Sequence, residues 1–167
     1  MKQITVVANC MVLAMVLLFS GTVNAKSVNQ KAPEIALPDK SGKTVKLSDF
    51  RGQVVMVNFW ASWCQPCRTE MPLIEKIYQR YKKLGVTVLG VNVDEDPKKG
   101  MKMLKETPVS FPVVYDSKNT VIEKYKVQAM PSTYMVDAKG NIREVHRGYK
   151  AGDEKDYENY IRKLLRN

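Results

Sequence analysis

Phe59-Trp60-Ala61-Ser62-Trp63-Cys64-Gln65-Pro66-Cys67 is the stretch on which the reading of this 167-residue chain turns. It closes a dense apolar run, Val54-Val55-Met56-Val57 with Phe59, of the composition expected for a strand buried on both faces. Beyond it, Met71, Ile74, Ile77, Tyr78 and Tyr81 recur at helical spacing as far as Gly85, a residue suited to a helix carboxyl-terminal stop. The two cysteines therefore stand where a buried strand turns into a helix.

That position decides their chemistry. A thiol attacks only as the thiolate, and the unpaired N–H groups and dipole of a helix amino terminus favour negative charge there. Cys64, at the helix start, is thus the attacking sulfur and is expected to be exposed. Cys67, three residues on and more buried, can resolve a mixed disulfide by intramolecular attack. Pro66 lacks an N–H and fits the first turn, where that donor would lack a helical partner in any case. Arg68 reads either as a helpful positive charge or as a solvated surface residue. A disulfide across two intervening residues closes too short a loop to serve stability. A structural zinc site needs about four ligands. The chain offers Cys64, Cys67 and His146 once Cys10 is set aside with the leader, so no metal and no cofactor beyond the cysteine pair is expected.

Outward from this centre, the chain reads as one domain. Lys2, an apolar run from Cys10 to Phe19 and the small residues ending at Ala25 have the anatomy of a cleavable signal peptide over residues 1–25. The run falls short of the ~20 residues that span a bilayer, though a retained amino-terminal anchor is the alternative. Asn9 before Cys10 argues against a lipid-modified cysteine. Residues 26–167 then form the exported domain, periplasmic or otherwise extracytoplasmic. Its net charge is strongly basic, the whole chain carrying +10. The lysines are dispersed without interleaved aromatics, which points to acidic partners or membrane surfaces rather than nucleic acid.

Glu34–Leu37 and Thr44–Leu47 flank Asp39-Lys40-Ser41-Gly42 as an amino-terminal β-hairpin preceded by a polar leader. Strands are expected at 86–93 and 113–115, a helix from Asp96-Pro97 to about Thr107, and a helical turn or two at 121–125. A second hairpin spans 132–136 and 142–147. Tyr157, Tyr160, Ile161, Leu164 and Leu165 form one stripe of a terminal helix. This order implies an α/β sandwich with a mixed sheet.

The segment around the cysteines resembles the active site of the thioredoxin superfamily, in the branch of exported proteins named after TlpA and ResA. Pro72 corresponds to that family's helix-kinking proline, and Met130-Pro131-Ser132-Thr133 resembles the loop whose proline is cis and faces the disulfide. Gly140, in the hairpin turn, also fits, and the similarity extends over residues 32–166. The resemblance implies a thioredoxin-like sandwich, a central mixed β-sheet flanked by helices with an added amino-terminal β-hairpin. Trp63, Gln65 and Pro66, with Met130 and Pro131, are the expected substrate-binding surface; Trp60 and Trp63 read either as shields of the disulfide or as ordinary aromatics. His146 reads as a packing residue. Where cytoplasmic thioredoxins carry a buried aspartate, this chain has Asn58. Glu70 stands at an offset where TlpA/ResA-like proteins carry a glutamate, and its carboxyl is expected to reach back toward Cys67 and share its proton. The alternative is an acidic residue in the first turns of the helix that merely stabilises its dipole.

The expected reaction is reduction of disulfides in exported partner proteins, apocytochrome c being the substrate the resemblance suggests, with a membrane-bound thiol reductant restoring the dithiol. The absence of a histidine between the cysteines favours this direction over oxidation. Two other classes stay open. A peroxiredoxin-like thiol peroxidase would need a threonine ahead of its cysteine, where Trp60-Ala61-Ser62-Trp63 stands, and a non-catalytic binding module would not need the cysteine pair.

Overall fold

The apolar run after Gln53 forms a seven-residue strand with every residue buried, Val54–Trp60. It lies at the heart of a computed structural model that describes residues 29–166; the expected signal peptide lies outside the described residues. In chain order the strands are β1 (Gln30–Lys31), β2 (Ala36–Pro38), β3 (Thr44–Lys46), β4 (Val54–Trp60), β5 (Val86–Asn92), β6 (Val113–Tyr115), β7 (Ser132–Val136) and β8 (Asn141–Arg147). The α-helices are α1 (Gln65–Tyr81), α2 (Pro97–Glu106), α3 (Thr120–Tyr125) and α4 (Glu154–Leu165). No helix among the described residues is long and apolar enough to cross a membrane.

Six strands join in one mixed sheet of order β1-β8-β7-β4-β5-β6, while β2 and β3 pair separately as the expected amino-terminal hairpin. β4 runs parallel to β5 and antiparallel to β7. The result is an α/β thioredoxin-like fold. Successive residues of β4 face opposite layers, as the two-residue period of a strand requires. Asn58 meets Glu70 of α1, whereas Phe59 packs its ring against Tyr125 of α3 at 5.1 Å and Tyr134 of β7 at 5.6 Å.

Helix boundaries follow local chemistry. Asp96 caps α2 by accepting from the Lys98 N–H at 3.0 Å, with Pro97 at the first helical position. After α1 a short 3₁₀ turn leads to Gly85 in the left-handed region (φ 84°), which only glycine enters without a steric cost.

Two expectations need correction. The polar leader, to which the sequence assigns no strand, supplies β1, whose two exposed residues pair with Ile142 and Asn141; a strand this short has no periodicity to read. In α4, Tyr157, Ile161 and Leu164 are buried, but Leu165 is 37% exposed. At about 100° per residue, a position eight residues after Tyr157 has rotated well off the docking face.

Candidate active site

Cys64 occupies the N-cap of α1, with extended backbone (φ −89°, ψ 104°), and its Sγ accepts from the Cys67 N–H at 3.2 Å. The sulfur is thus aimed at an amide with no helical partner, the arrangement that favours a thiolate. Cys64 and Cys67 are joined as a disulfide with Cα atoms 5.3 Å apart. Pro66 takes the second helical position, where it costs no hydrogen bond. The order of exposure is as expected, Cys64 at 4% and Cys67 at 0%, but Cys64 is itself buried rather than exposed. Its N–H bonds back to the Ala61 carbonyl at 3.2 Å, closing a turn ahead of α1.

Around this disulfide Trp63, Gln65 and Pro66 are exposed, Trp63 by 68%. Trp60 is fully buried, its indole against Gly90, with Nε1 lacking a partner. It is a core residue, and of the two tryptophans only Trp63 borders solvent. The register Phe59 to Ser132 brings the start of β7 to the end of β4, so Met130 and Pro131 lie at the same end of the sheet as the cysteine loop. The Met130–Pro131 peptide is cis. Met130 is half-buried and Pro131 buried, its carbonyl accepting from the Gly148 N–H at 2.7 Å.

The loop between β4 and α1 is pinned from both sides at Ser62. Asp94, just past β5, accepts from the Ser62 N–H at 3.0 Å and from its hydroxyl at 2.8 Å, while Arg68 Nε donates to the Ser62 carbonyl at 3.2 Å. Arg68 also pairs with Glu106 at 3.2 Å. The open choice about Arg68 thus resolves into a tie on the active-site loop. Asp94 gave no sequence signal beyond being an acid after a strand.

Glu70 is buried, 1% exposed. Tyr157 donates to its Oε1 at 2.6 Å and Asn58 to its Oε2 at 3.0 Å. Burial pushes its pKa up to about 7; the two hydrogen bonds oppose that rise and nearby Asp153 adds to it. Tyr157 was legible only as one member of an apolar stripe, and the available hint was a hydroxyl-bearing side chain where leucine would suffice, since buried tyrosines seek a partner. Burial beside the Glu70 charge drives the Tyr157 pKa upward. His146 packs edge-on against Tyr157 and pairs with Asp153 at 2.9 Å, the packing role expected of it.

A groove of about 990 Å³ lies between the β2–β3 hairpin and the α1, α2 and β6 side of the sheet, floored by Phe50, Tyr78, Leu104, Phe111 and Val113. Neither cysteine lines it. Exposed Trp63 stands next to the buried disulfide in sequence and borders solvent there.

Comparison with known proteins agrees with this geometry. Residues 27–161 match the Redoxin family model. The thiol-disulfide oxidoreductase ResA of Geobacillus kaustophilus is 38% identical over 124 residues, covering 74% of this chain and 71% of that protein. ResA of Bacillus subtilis is 36% identical, covering 73% and 68%. Among solved structures, a putative thiol:disulfide interchange protein DsbE from Chlorobium tepidum superposes with a TM-score of 0.80 at 38% identity, covering 83% of this chain and 97% of that one. With its disulfide at the N-cap of a helix and these relatives, the chain belongs to the Redoxin family of the thioredoxin superfamily and is a thiol–disulfide oxidoreductase.

Proposed function

We propose that this enzyme reduces disulfides in exported partner proteins, outside the cytoplasm. The observation that carries the reading is the Cys64 sulfur facing the Cys67 amide at 3.2 Å, bordered by exposed Trp63, Gln65 and Pro66. In the reduced enzyme the Cys64 thiolate attacks one sulfur of the client disulfide, forming a mixed disulfide and expelling the other sulfur as a thiolate. Cys67 loses its proton to Glu70 and attacks Cys64, releasing the second client thiol and closing the Cys64–Cys67 disulfide. Two electrons pass to the client. A membrane-bound thiol reductant supplies two electrons and two protons to restore the dithiol. Met130 and Pro131, at the same end of the sheet, complete the client-binding surface with Trp63, Gln65 and Pro66.

Gln65-Pro66 between the cysteines carries no histidine to stabilise the thiolate, which favours a reducing couple. The family resemblance supports apocytochrome c as the client and export by the segment 1–25, leaving 26–167 as the working domain.

Trapping tests this directly. The Cys67→Ser variant, expressed in its own compartment, should accumulate disulfide-linked partners because Cys64 attacks and nothing resolves the complex. Heme-attachment proteins among those partners are the expected result. Capture of a broad set of newly secreted proteins, with a couple as oxidising as the ≈ −120 mV of DsbA, would reverse the direction.

A further inference from the structure

Glu70 sits in a closed ring of four side chains drawn from four elements. Tyr157 of α4 donates to Oε1 at 2.6 Å, and Asn58 of β4 donates to Oε2 at 3.0 Å. The same Asn58 Nδ2 donates to Thr133 Oγ1 of β7 at 3.0 Å, and the Thr133 hydroxyl lies near enough to that of Tyr157 to influence its ionisation. None of the four is more than 1% exposed, so water cannot replace a partner that fails. A group that gains and loses a proton inside such a ring needs neighbours able to follow it. Asn58 Nδ2 carries hydrogens and no available lone pair, so it can donate to a carboxylate but cannot accept from a carboxylic acid. With the Asn58 amide held in this orientation by its bond to Thr133, the acid hydrogen belongs on Oε1, which faces the one phenolic hydroxyl of the ring. A hydroxyl both donates and accepts.

We propose that Tyr157 is the positioning residue that accommodates Glu70 in both protonation states. It donates to Oε1 of the carboxylate; when the acid forms, it accepts from the Oε1 hydroxyl and turns its own hydrogen to Thr133 Oγ1. This rests on the reading of Glu70 as the proton partner of Cys67. The proton leaves the Cys67 thiol and arrives on Glu70 Oε1, while Tyr157 holds one hydrogen throughout and no electrons move. The titratable groups that act on the ring are Tyr149 and Asp153 from the segment leading into α4 and His146 of β8, while Cys67 precedes Glu70 by three residues on α1. His146 Nε2 lies 2.9 Å from Asp153, and its ring meets that of Tyr157 at 5.0 Å.

The pH dependence of thiol–disulfide exchange, together with the ¹³C chemical shift of the Glu70 carboxyl, tests the proposal. Tyr157→Phe keeps the ring packing and removes only the hydroxyl. Without that donor the carboxylate is less favoured, so the Glu70 inflection should move to higher pH, by roughly one to two units for one hydrogen bond to a charged group. Thr133→Val removes the acceptor that the turned Tyr157 hydroxyl needs when Glu70 is protonated, so it should move the inflection to lower pH. Opposite displacements are not what general loosening of the site produces. If Tyr157→Phe fails to fold, the direction of the Thr133→Val shift decides. Superimposable profiles, or an upward shift in Thr133→Val, would overturn the role of Tyr157. Glu70→Gln separates the two readings: if it retains the wild-type inflection, the assignment of Glu70 fails, whatever Tyr157 does.

Discussion

At the scale of single residues, Glu70 carries a cost that the fold accepts. An unconstrained glutamate releases its proton near 4.5, and here burial holds the proton up to about pH 7. Between those values the unfolded chain binds fewer protons than the folded one, so stability falls as pH rises and the full penalty is present above about pH 7. Its size is at most roughly 3 kcal/mol. Glu70→Gln removes the titration. Its unfolding free energy relative to wild type should therefore improve between pH 4.5 and pH 8, measured by chemical denaturation at both, and a pH-independent difference would contradict the buried, proton-holding environment. The cysteine pair and its place at a helix start were legible because spacing and helix starts are local properties of the chain. Tyr157 and Asp94 were not, because each acquires its meaning from a residue brought close only by the fold: Glu70 lies 87 positions from Tyr157, and Ser62 lies 32 from Asp94.

Among the elements, α2 never contributes a reacting group, yet it bears on the active-site loop. A Cβ added at Gly100 would meet the Asn92 side chain at 2.6 to 2.8 Å. Asn92 is fully buried and donates to Asp94 at 2.8 Å, and Asp94 in turn holds Ser62 ahead of Trp63 and Cys64. On an unencumbered helix, replacing glycine with alanine stabilises by ~1 kcal/mol. Here Gly100→Ala should instead destabilise by about 1–3 kcal/mol, as overpacking does, and should alter the alkylation rate of reduced Cys64. A raised thermal midpoint with an unchanged rate would show that the Asn92–Asp94–Ser62 series yields without consequence. Element types and approximate limits were readable from periodicity, capping residues and turn glycines. The start of α1 was legible too, with Cys64 as its cap, whereas the ends of the first hairpin were less so: its strands cover only Ala36–Pro38 and Thr44–Lys46, because pairing is fixed by hydrogen bonds that alternation does not report.

For the molecule as a whole, α4 joins the far end of the chain to the chemistry. Ile161 is fully buried, one turn beyond Tyr157. Ile161→Ala should cost about 2–5 kcal/mol, with a thermal midpoint lower by several degrees. A loss below about 1 kcal/mol would mean that α4 is not an integral layer of the core. The sandwich class was readable from the order of elements, but the sheet order β1-β8-β7-β4-β5-β6 was not, since pairing between distant strands leaves no local trace. That order has a further consequence at its margins. Sheets grow into fibrils by recruiting another chain along an outermost strand that offers a long row of unpaired amides and carbonyls. One margin here is the two-residue β1, ending in Lys31, and the other is the three-residue β6, with β2 close by. Seven-residue β4 is held between two neighbours, paired with β5 along its whole length and with β7 from Val55 to Phe59, so this apolar strand offers no free row of amides to a second chain.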